Sequence, residues 1–482
     1  MYRQAARVGA GVVLWGVFLS TGCTEVYLLF GPGAIFGPQS YSVAGGGTTS
    51  RPTVIPAPIY ITDQADPVLE ATAGAKVVVA AQLNDDNADG VIDGNDWIDF
   101  VSGSDESQPV QIHLNQGGGR SFRTLTVAGG GPIARLIDLQ VADLDADGRP
   151  DLAVLVNDTG FTPVPGAQLR GAVVLVFAPP DPTDALSWST VTIAQPFVLP
   201  GDATGLTGFD VADLDLDGLP DIALGSNEEG DVEKYIRLYR NPGPPVGAEV
   251  RDLKYRNDWT DSVITIDAVP FRALKAADLD GDGDLDLVAT FPTAKTFNTR
   301  WLINPAIPNG AAAVGNPWVR KVVGQQQDGG DFLDVADIDG DGDPDVVVAK
   351  VAEGLVQWFE NPDRPADGVN VVAQQNFPWN VYHLGRFQAG YTIEGLQLTD
   401  LDRNGTVDCF ATAGGNLVGF QRGVQLYDWW SAFVIAAVNP VARVGRCAFV
   451  DLNGDALIDI VAPLDRDGLT QDQILIFTRL TR

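Results

Sequence analysis

Oxygen-bearing side chains spaced two apart recur seven times between Asp85 and Asp459, in the phrase carboxylate-x-carboxylate-x-carboxylate-Gly-x-x-Asp with small departures. Alternate carboxylates on a tightly turned loop suit a hard cation that wants oxygen ligands, which among biological ions means Ca2+. Side chains at positions 1, 3, 5 and 9 and the carbonyl at position 7 would surround the ion, and Gly at position 6 permits the sharp turn. Loops two to five hold four Asp each: Asp143, Asp145, Asp147 and Asp151; Asp213, Asp215, Asp217 and Asp221; Asp278, Asp280, Asp282 and Asp286; Asp337, Asp339, Asp341 and Asp345. Loop six places Asn at position 5 (Asp400, Asp402, Asn404, Asp408). Loop seven has Asp451, Asn453, Asp455 and Asp459 but Ala456 where the others have Gly, so it is expected to bind most weakly.

Loop one is irregular. Asp85, Asn87, Asp89, Gly90 and Asp93 fit the phrase, and Asp96 falls at position 12. An alternative register aligns Leu83-Asn84 with Leu144-Asp145 and treats the middle as an insertion; the first register is adopted. In one loop, Asp residues that merely cap a turn would be explanation enough. Seven copies demand more, because carboxylates crowded on one loop repel one another unless a cation sits among them. Up to seven Ca2+ are expected, acting structurally.

Other chemistry is sparse. The two histidines, His113 and His383, stand in repeats one and five with no shared motif, and each reads as an ordinary strand residue. No Cys-x-x-Cys, nucleophile elbow or phosphate loop is present. No catalytic constellation is visible, so the chain reads as a non-enzyme. A formal net charge of −32 argues against nucleic acid and anionic lipid as partners. Much of that charge is ligand stock, since seven divalent cations would offset nearly half of it.

The loops need elements to hold them. Their first positions fall at 85, 143, 213, 278, 337, 400 and 451, a period of 51 to 70 residues typical of stacked units. A short apolar alternation precedes each loop, as in Leu139-Gln-Val141-Ala142 and Leu333-Asp-Val335-Ala336. A second follows it, as in Leu152-Ala-Val154. A third often ends in an Asn-Pro turn, at Asn241-Pro242, Asn304-Pro305 and Asn361-Pro362. A fourth includes Trp188, Trp259, Trp318, Trp379 or Trp430, whose recurring phase points to packing and not to a sugar platform. Four period-2 segments make a four-stranded antiparallel sheet, and seven such sheets arranged radially make a β-propeller. The last repeat lacks a fourth strand after Gln473–Phe477. Residues 57–62 are expected to supply it and to close the ring with both chain ends in blade seven.

Residues 1–22 read as a leader: Arg3 and Arg7 precede an apolar run from Val8 to Leu19 that is short for a membrane span. Leu19-Ser-Thr-Gly-Cys23 resembles the lipobox of bacterial lipoproteins, in which the Cys is lipidated; a plain secretory signal is the alternative. Thr24 in place of Asp resembles outer-membrane sorting, so the expected location is the bacterial cell envelope, with membrane contact only through the anchor. Residues 23–56, rich in Gly, Pro, Ser and Thr, read as a flexible tether, and 57–482 as the propeller. Cys409 and Cys447 occupy apolar positions of neighbouring repeats, compatible with a disulfide in an oxidising compartment or with two separate buried thiols.

The text Phe209-Asp-Val-Ala-Asp213-Leu-Asp215-Leu-Asp217-Gly218-Leu-Pro-Asp221-Ile-Ala and its six relatives resemble the FG-GAP/VCBS repeats of integrin α-chain propellers and bacterial surface proteins. EF-hands and dockerins share the loop chemistry but need flanking helices, whereas every loop here joins β-patterned runs. The resemblance covers about residues 57–482 and implies a calcium-binding propeller. It leaves two functions open: a non-catalytic, adhesion-type module that binds a protein or glycan, through insertions such as 227–234 and 363–375, or a polysaccharide lyase or dehydratase. A cluster of Arg, Tyr and carboxylate at one mouth of the ring, away from the loops, would favour the enzyme.

Overall fold

A computed structural model of the chain describes residues 75–479, except 88–90, 105–109, 128–135, 158–169, 199–207, 228–233, 244–258, 268–270, 292–298, 325–329, 363–378, 388–391, 423–429, 438–442 and 466–472, together with short paired segments within 7–70. The two insertions singled out as contact points lie almost wholly outside these residues, and so do Cys23 and most of the leader and tether. Among the described residues no helix is long and apolar enough to cross a membrane.

Seven antiparallel blades form a ring. The first strand of each is innermost: Ala75–Ala81, Leu136–Ala142, Phe209–Ala212, Leu274–Ala277, Phe332–Ala336, Ile393–Thr399 and, in blade seven, Ala448–Val450 after the short Arg443–Val444. The second strands begin at Asp99, Asp151, Asp221, Asp286, Asp345, Asp408 and Asp459. Blades one to six each add a third and a fourth strand in simple meander order. Every metal loop therefore links the innermost strand of its blade to the second.

Strand periodicity explains the core. Successive side chains point to opposite faces, and both faces of a blade are covered by neighbouring blades. In blade two, Leu152, Val154 and Val156 pack with Val101 and Ile112 of blade one, whereas Ala153 and Leu155 pack with Phe209 and Ile222 of blade three. Seven apolar clusters result, one at each junction; the last joins Val78 and Phe100 to Leu452, Val461 and Ile474. The five recurring tryptophans are 2 to 5% exposed, the packing role expected of them. Glycine is needed where a neighbour's ring approaches the sheet: a Cβ on Gly225 would lie 1.4 Å from Phe271.

The ring seals along its inner edge. Val77 and Arg446 form a parallel bridge, with the Val78 N–H donating to the Arg446 carbonyl at 3.0 Å and the Arg446 N–H to the Lys76 carbonyl at 2.9 Å. At the outer edge, Tyr60–Ile61 pair with Arg479 and Thr478, and Leu69–Glu70 with Gln473 and Ile474, as two-residue contacts and not as one continuous strand. Cys409 and Cys447 are free, buried thiols in different apolar clusters, the second of the two alternatives.

Candidate metal centres

Each loop is wound around its own carboxylates. In loops two, three and six the first-position Asp accepts the N–H groups of positions 5 and 6: Asp147 and Gly148 donate to Asp143 at 3.0 and 2.8 Å, Asp217 and Gly218 to Asp213 at 3.1 and 2.9 Å, and Asn404 and Gly405 to Asp400 at 3.0 and 2.8 Å. In loops four and five the donors are the glycines at positions 4 and 6. The fifth-position oxygen then accepts the N–H of position 7, as at Asp147–Arg149 and Asn404–Thr406. This winding requires left-handed backbone at two positions. Gly148, Gly218, Gly283, Gly342 and Gly405 supply the expected one at position 6, and Ala456 adopts it with φ of 65°. Position 4 is the second, held by Gly281, Gly340 and Gly454 but also by Ala146, Leu216 and Arg403 with φ of 55 to 62°.

The ninth-position Asp ties three strands together. One oxygen of Asp151 accepts the Leu144 N–H within the loop at 3.0 Å, and the other accepts the N–H of Ala178 at the end of the third strand at 2.7 Å. Asp221, Asp286, Asp345 and Asp459 repeat both contacts.

In blade one this place belongs to Asp99, which accepts the N–H groups of Leu83 at 2.9 Å and Asn115 at 2.7 Å. The adopted register of loop one, ending at Asp93, is thereby corrected to the alternative. Gln82, Leu83, Asn84 and Asp86 take positions 1, 2, 3 and 5, and the residues up to Trp97 and Ile98 form the insertion. Asp85 and Asn87 then fall between ligand positions, Asp93 caps Asn95 in the insertion, and Asp89 lies outside the described residues. Asp96 does the work of the missing first carboxylate, accepting the N–H groups of Asp86 and Asn87.

Three carboxylates in each of loops two to six offer oxygens within 4.8 Å of one another: Asp143, Asp145 and Asp151; Asp213, Asp215 and Asp221; Asp278, Asp280 and Asp282; Asp337, Asp339 and Asp345; Asp400, Asp402 and Asp408. Loop seven, with Asn453 at position 3, forms no such triad among the described residues. The donor set is all oxygen, and one oxygen of Asp215, itself 3% exposed, has no hydrogen-bond partner. An unmet buried carboxylate oxygen facing two further carboxylates fits a hard divalent cation. Burial, with like charge second to it, raises the ninth-position carboxyls of Asp151, Asp286 and Asp345 to about 8 and those of Asp221 and Asp408 to about 7. Without a cation these groups favour the protonated form; a divalent ion among them would restore the charge.

Residues 92–154 match the family described as FG-GAP-like repeat. No curated protein sequence matches the chain. Among solved structures, the biofilm matrix protein Bap1 of V. cholerae is similar at 12% identity and a TM-score of 0.37, with 86% of this chain and 89% of that one covered. The Dos1 propeller is similar at 8% identity and TM-score 0.41, covering 87% and 81%, and the rhamnogalacturonan lyase YesW at 14% and 0.35, covering 84% and 73%.

The loops of this propeller are graded in a way their phrase does not display. Arg149 pairs with Asp147 in loop two, and Arg240 with Asp215 in loop three, placing a cation beside the ligands. Loops four and five instead add a fifth carboxylate at position 7, Asp284 and Asp343, both buried. One Asp284 oxygen accepts the Ile307 N–H at 2.7 Å; the other is buried without a partner. The signal was present as Asp-Gly-Asp in the sequence, but position 7 was assigned only a backbone role.

The Asn of the Asn-Pro turns was read as punctuation and proves to be a latch between blades. Asn241 donates its amide to the Leu144 carbonyl of the preceding blade's loop at 2.8 Å, Asn304 to Leu214 at 2.8 Å, and Asn361 to Leu279 at 2.9 Å. Arg422 and Arg479 make the same link to Ile338 and Leu401, and Asn115 reaches Leu452 at 2.9 Å across the closing junction. Among the described residues the junction of blades one and two lacks this donor, because the place falls to Ala178.

Away from the loops, the N-terminal ends of the innermost strands enclose a cavity of about 550 Å3 on the ring axis. Arg272, Arg443 and Arg446 converge there with carboxylates, and no Tyr among the described residues lines it. Neither histidine does so: His113 is fully buried in blade one between Ser102 and Thr124, and His383 lies in the strand Asn380–Arg386.

Proposed function

We propose that the protein is a calcium-binding propeller acting as a non-catalytic module that presents a rigid ring to a glycan or protein partner. The observation that supports this reading best is the set of five oxygen triads, one per blade from two to six, each built into the joint between innermost and second strands. Up to seven Ca2+ would be held, most weakly in loop seven, and would act on rigidity and not on chemistry. In this reading the chain is lipidated at Cys23 and tethered in the bacterial envelope, on the outer membrane. Residues 57–62 complete the outer edge of blade seven, extending the Tyr60–Ile61 contact.

Metal analysis of protein dialysed against equal calcium and magnesium tests the first part, with several equivalents of calcium retained; retention of neither ion would end the calcium reading. A glycan array probed with and without calcium tests the second. Labelled palmitate incorporated by the parent and not by Cys23→Ser tests the anchor.

The convergence of Arg and carboxylate on the ring axis is what the second reading, a polysaccharide lyase or dehydratase, would require. Among the described residues its charged groups stand beside one another as Arg–carboxylate and Lys–carboxylate pairs, which supports binding. Appearance of an unsaturated, ultraviolet-absorbing product from acidic polysaccharides would reverse that order.

A further inference from the structure

The cavity on the ring axis has a wall unlike the rest of the molecule. Its volume, about 550 Å3, falls within the roughly 300–1,000 Å3 of small-molecule sites. Among the described residues five cationic and six anionic side chains line it, near balance in a chain of net charge −32. The cations stand beside carboxylates: Arg446 donates to Asp138 at 2.7 Å, while Arg272–Asp331, Lys275–Asp210 and Arg443–Glu394 are separated by 3.8, 3.8 and 3.9 Å. The last three are too far apart to hydrogen-bond directly, and their spacing suits one bridging hydroxyl. Asp138 is fully buried, lines the cavity, and has one oxygen with no hydrogen-bond partner. Phe332 and Val351 contribute apolar wall beside these groups.

We propose that this end of the channel binds an uncharged saccharide unit; the proposal rests on the glycan-binding reading and locates its site. A charged ligand would gain a partner here only by separating an ion pair that already exists, with the desolvation cost of the group left behind. A sugar hydroxyl is donor and acceptor at once, so it can lie between the members of a widely spaced pair without separating their charges. The apolar wall suits the C–H face of a pyranose.

Saturation-transfer NMR on the calcium-loaded full chain would use glucose, galactose, mannose and N-acetylglucosamine, with galacturonate and glucosamine as charged counterparts. At least one neutral sugar binds, and the charged sugars bind at least tenfold more weakly. Glu394→Gln and Asp331→Asn keep the carbonyl oxygens that accept the Val444 and Val351 N–H groups, so both variants fold and melt like the parent. Each weakens the neutral sugar at least tenfold. The proposal is overturned if no neutral sugar binds, if a charged one binds as tightly, or if both variants bind like the parent. Array binding that both variants retain would sink the channel site and leave the binding module standing. A blank array together with blank NMR would remove the glycan reading itself.

Discussion

Ala456 occupies a backbone conformation that costs an L-residue roughly 1–2 kcal/mol and glycine almost nothing. Ala456→Gly should therefore stabilise the protein by about 1 kcal/mol, with or without calcium, read as a rise in the denaturation midpoint; a fall would mean that the loop is held by something other than its turn. The strain at Ala146, Leu216 and Arg403 was partly legible, since three sister loops have Gly at that position, but in these three the side chain gives no sign of its φ. His113 offers a second residue-scale test. Its ring stacks on Phe100 at 4.5 Å and bonds to Ser102 and Thr124, and burial lowers its pKa from 6.5 to about 3. The folded state thus binds fewer protons than the unfolded chain between those values. Stability from this group is present above pH 6.5 and is lost as pH falls towards 3. Parent protein should lose more stability than His113→Gln between pH 7.5 and 5 in urea titrations, and parallel pH profiles would count against the buried neutral ring.

Strands and loops reveal where single-repeat reading succeeds and where it stops. The alternation Leu152-Ala-Val154 is a local property, so the blades and their order were legible from one repeat compared with the next. The partner of Asn241 is in the previous blade, and nothing local to Asn-Pro specifies it. Removing such a latch strands buried carbonyls: Asn304→Ala should cost about 1–3 kcal/mol. The converse is the sharper test. Ala178 has the backbone contact of its sister residues and is followed by Pro, so Ala178→Asn should reach the Leu83 carbonyl and add about 1 kcal/mol, seen as a raised melting temperature. Loop one shows the limit of motif spacing. Asp85, Asn87, Asp89 and Asp93 satisfy the phrase, but the fold needs a carboxylate where two buried N–H groups meet, and that requirement selects Asp99. A motif match counts residues; the strand start decides which residue is buried.

For the whole ring, bound calcium would act on the same carboxyls as pH. If each ion sits tenfold above its dissociation constant, linkage supplies about 1.4 kcal/mol per site, and seven sites on the order of 10 kcal/mol, comparable with the entire stability of a domain. EDTA should lower the melting temperature sharply; an unchanged melt would show that the loops stand without metal. In EDTA, the raised ninth-position groups contribute stability that is full below pH 3.8 and is lost as pH rises through about 7 to 8. The metal-free ring should therefore be weaker at pH 8 than at pH 5, and saturating calcium should cancel or reverse that order in denaturation curves. One last consequence follows from the inner bridge between Val77 and Arg446. During synthesis, the inner edge of blade one stays unpaired until almost the whole chain has emerged, and an open edge is a template for any passing strand. Truncated chains that stop short of Arg446 should aggregate, and a holding chaperone would be needed longest by the first blade made.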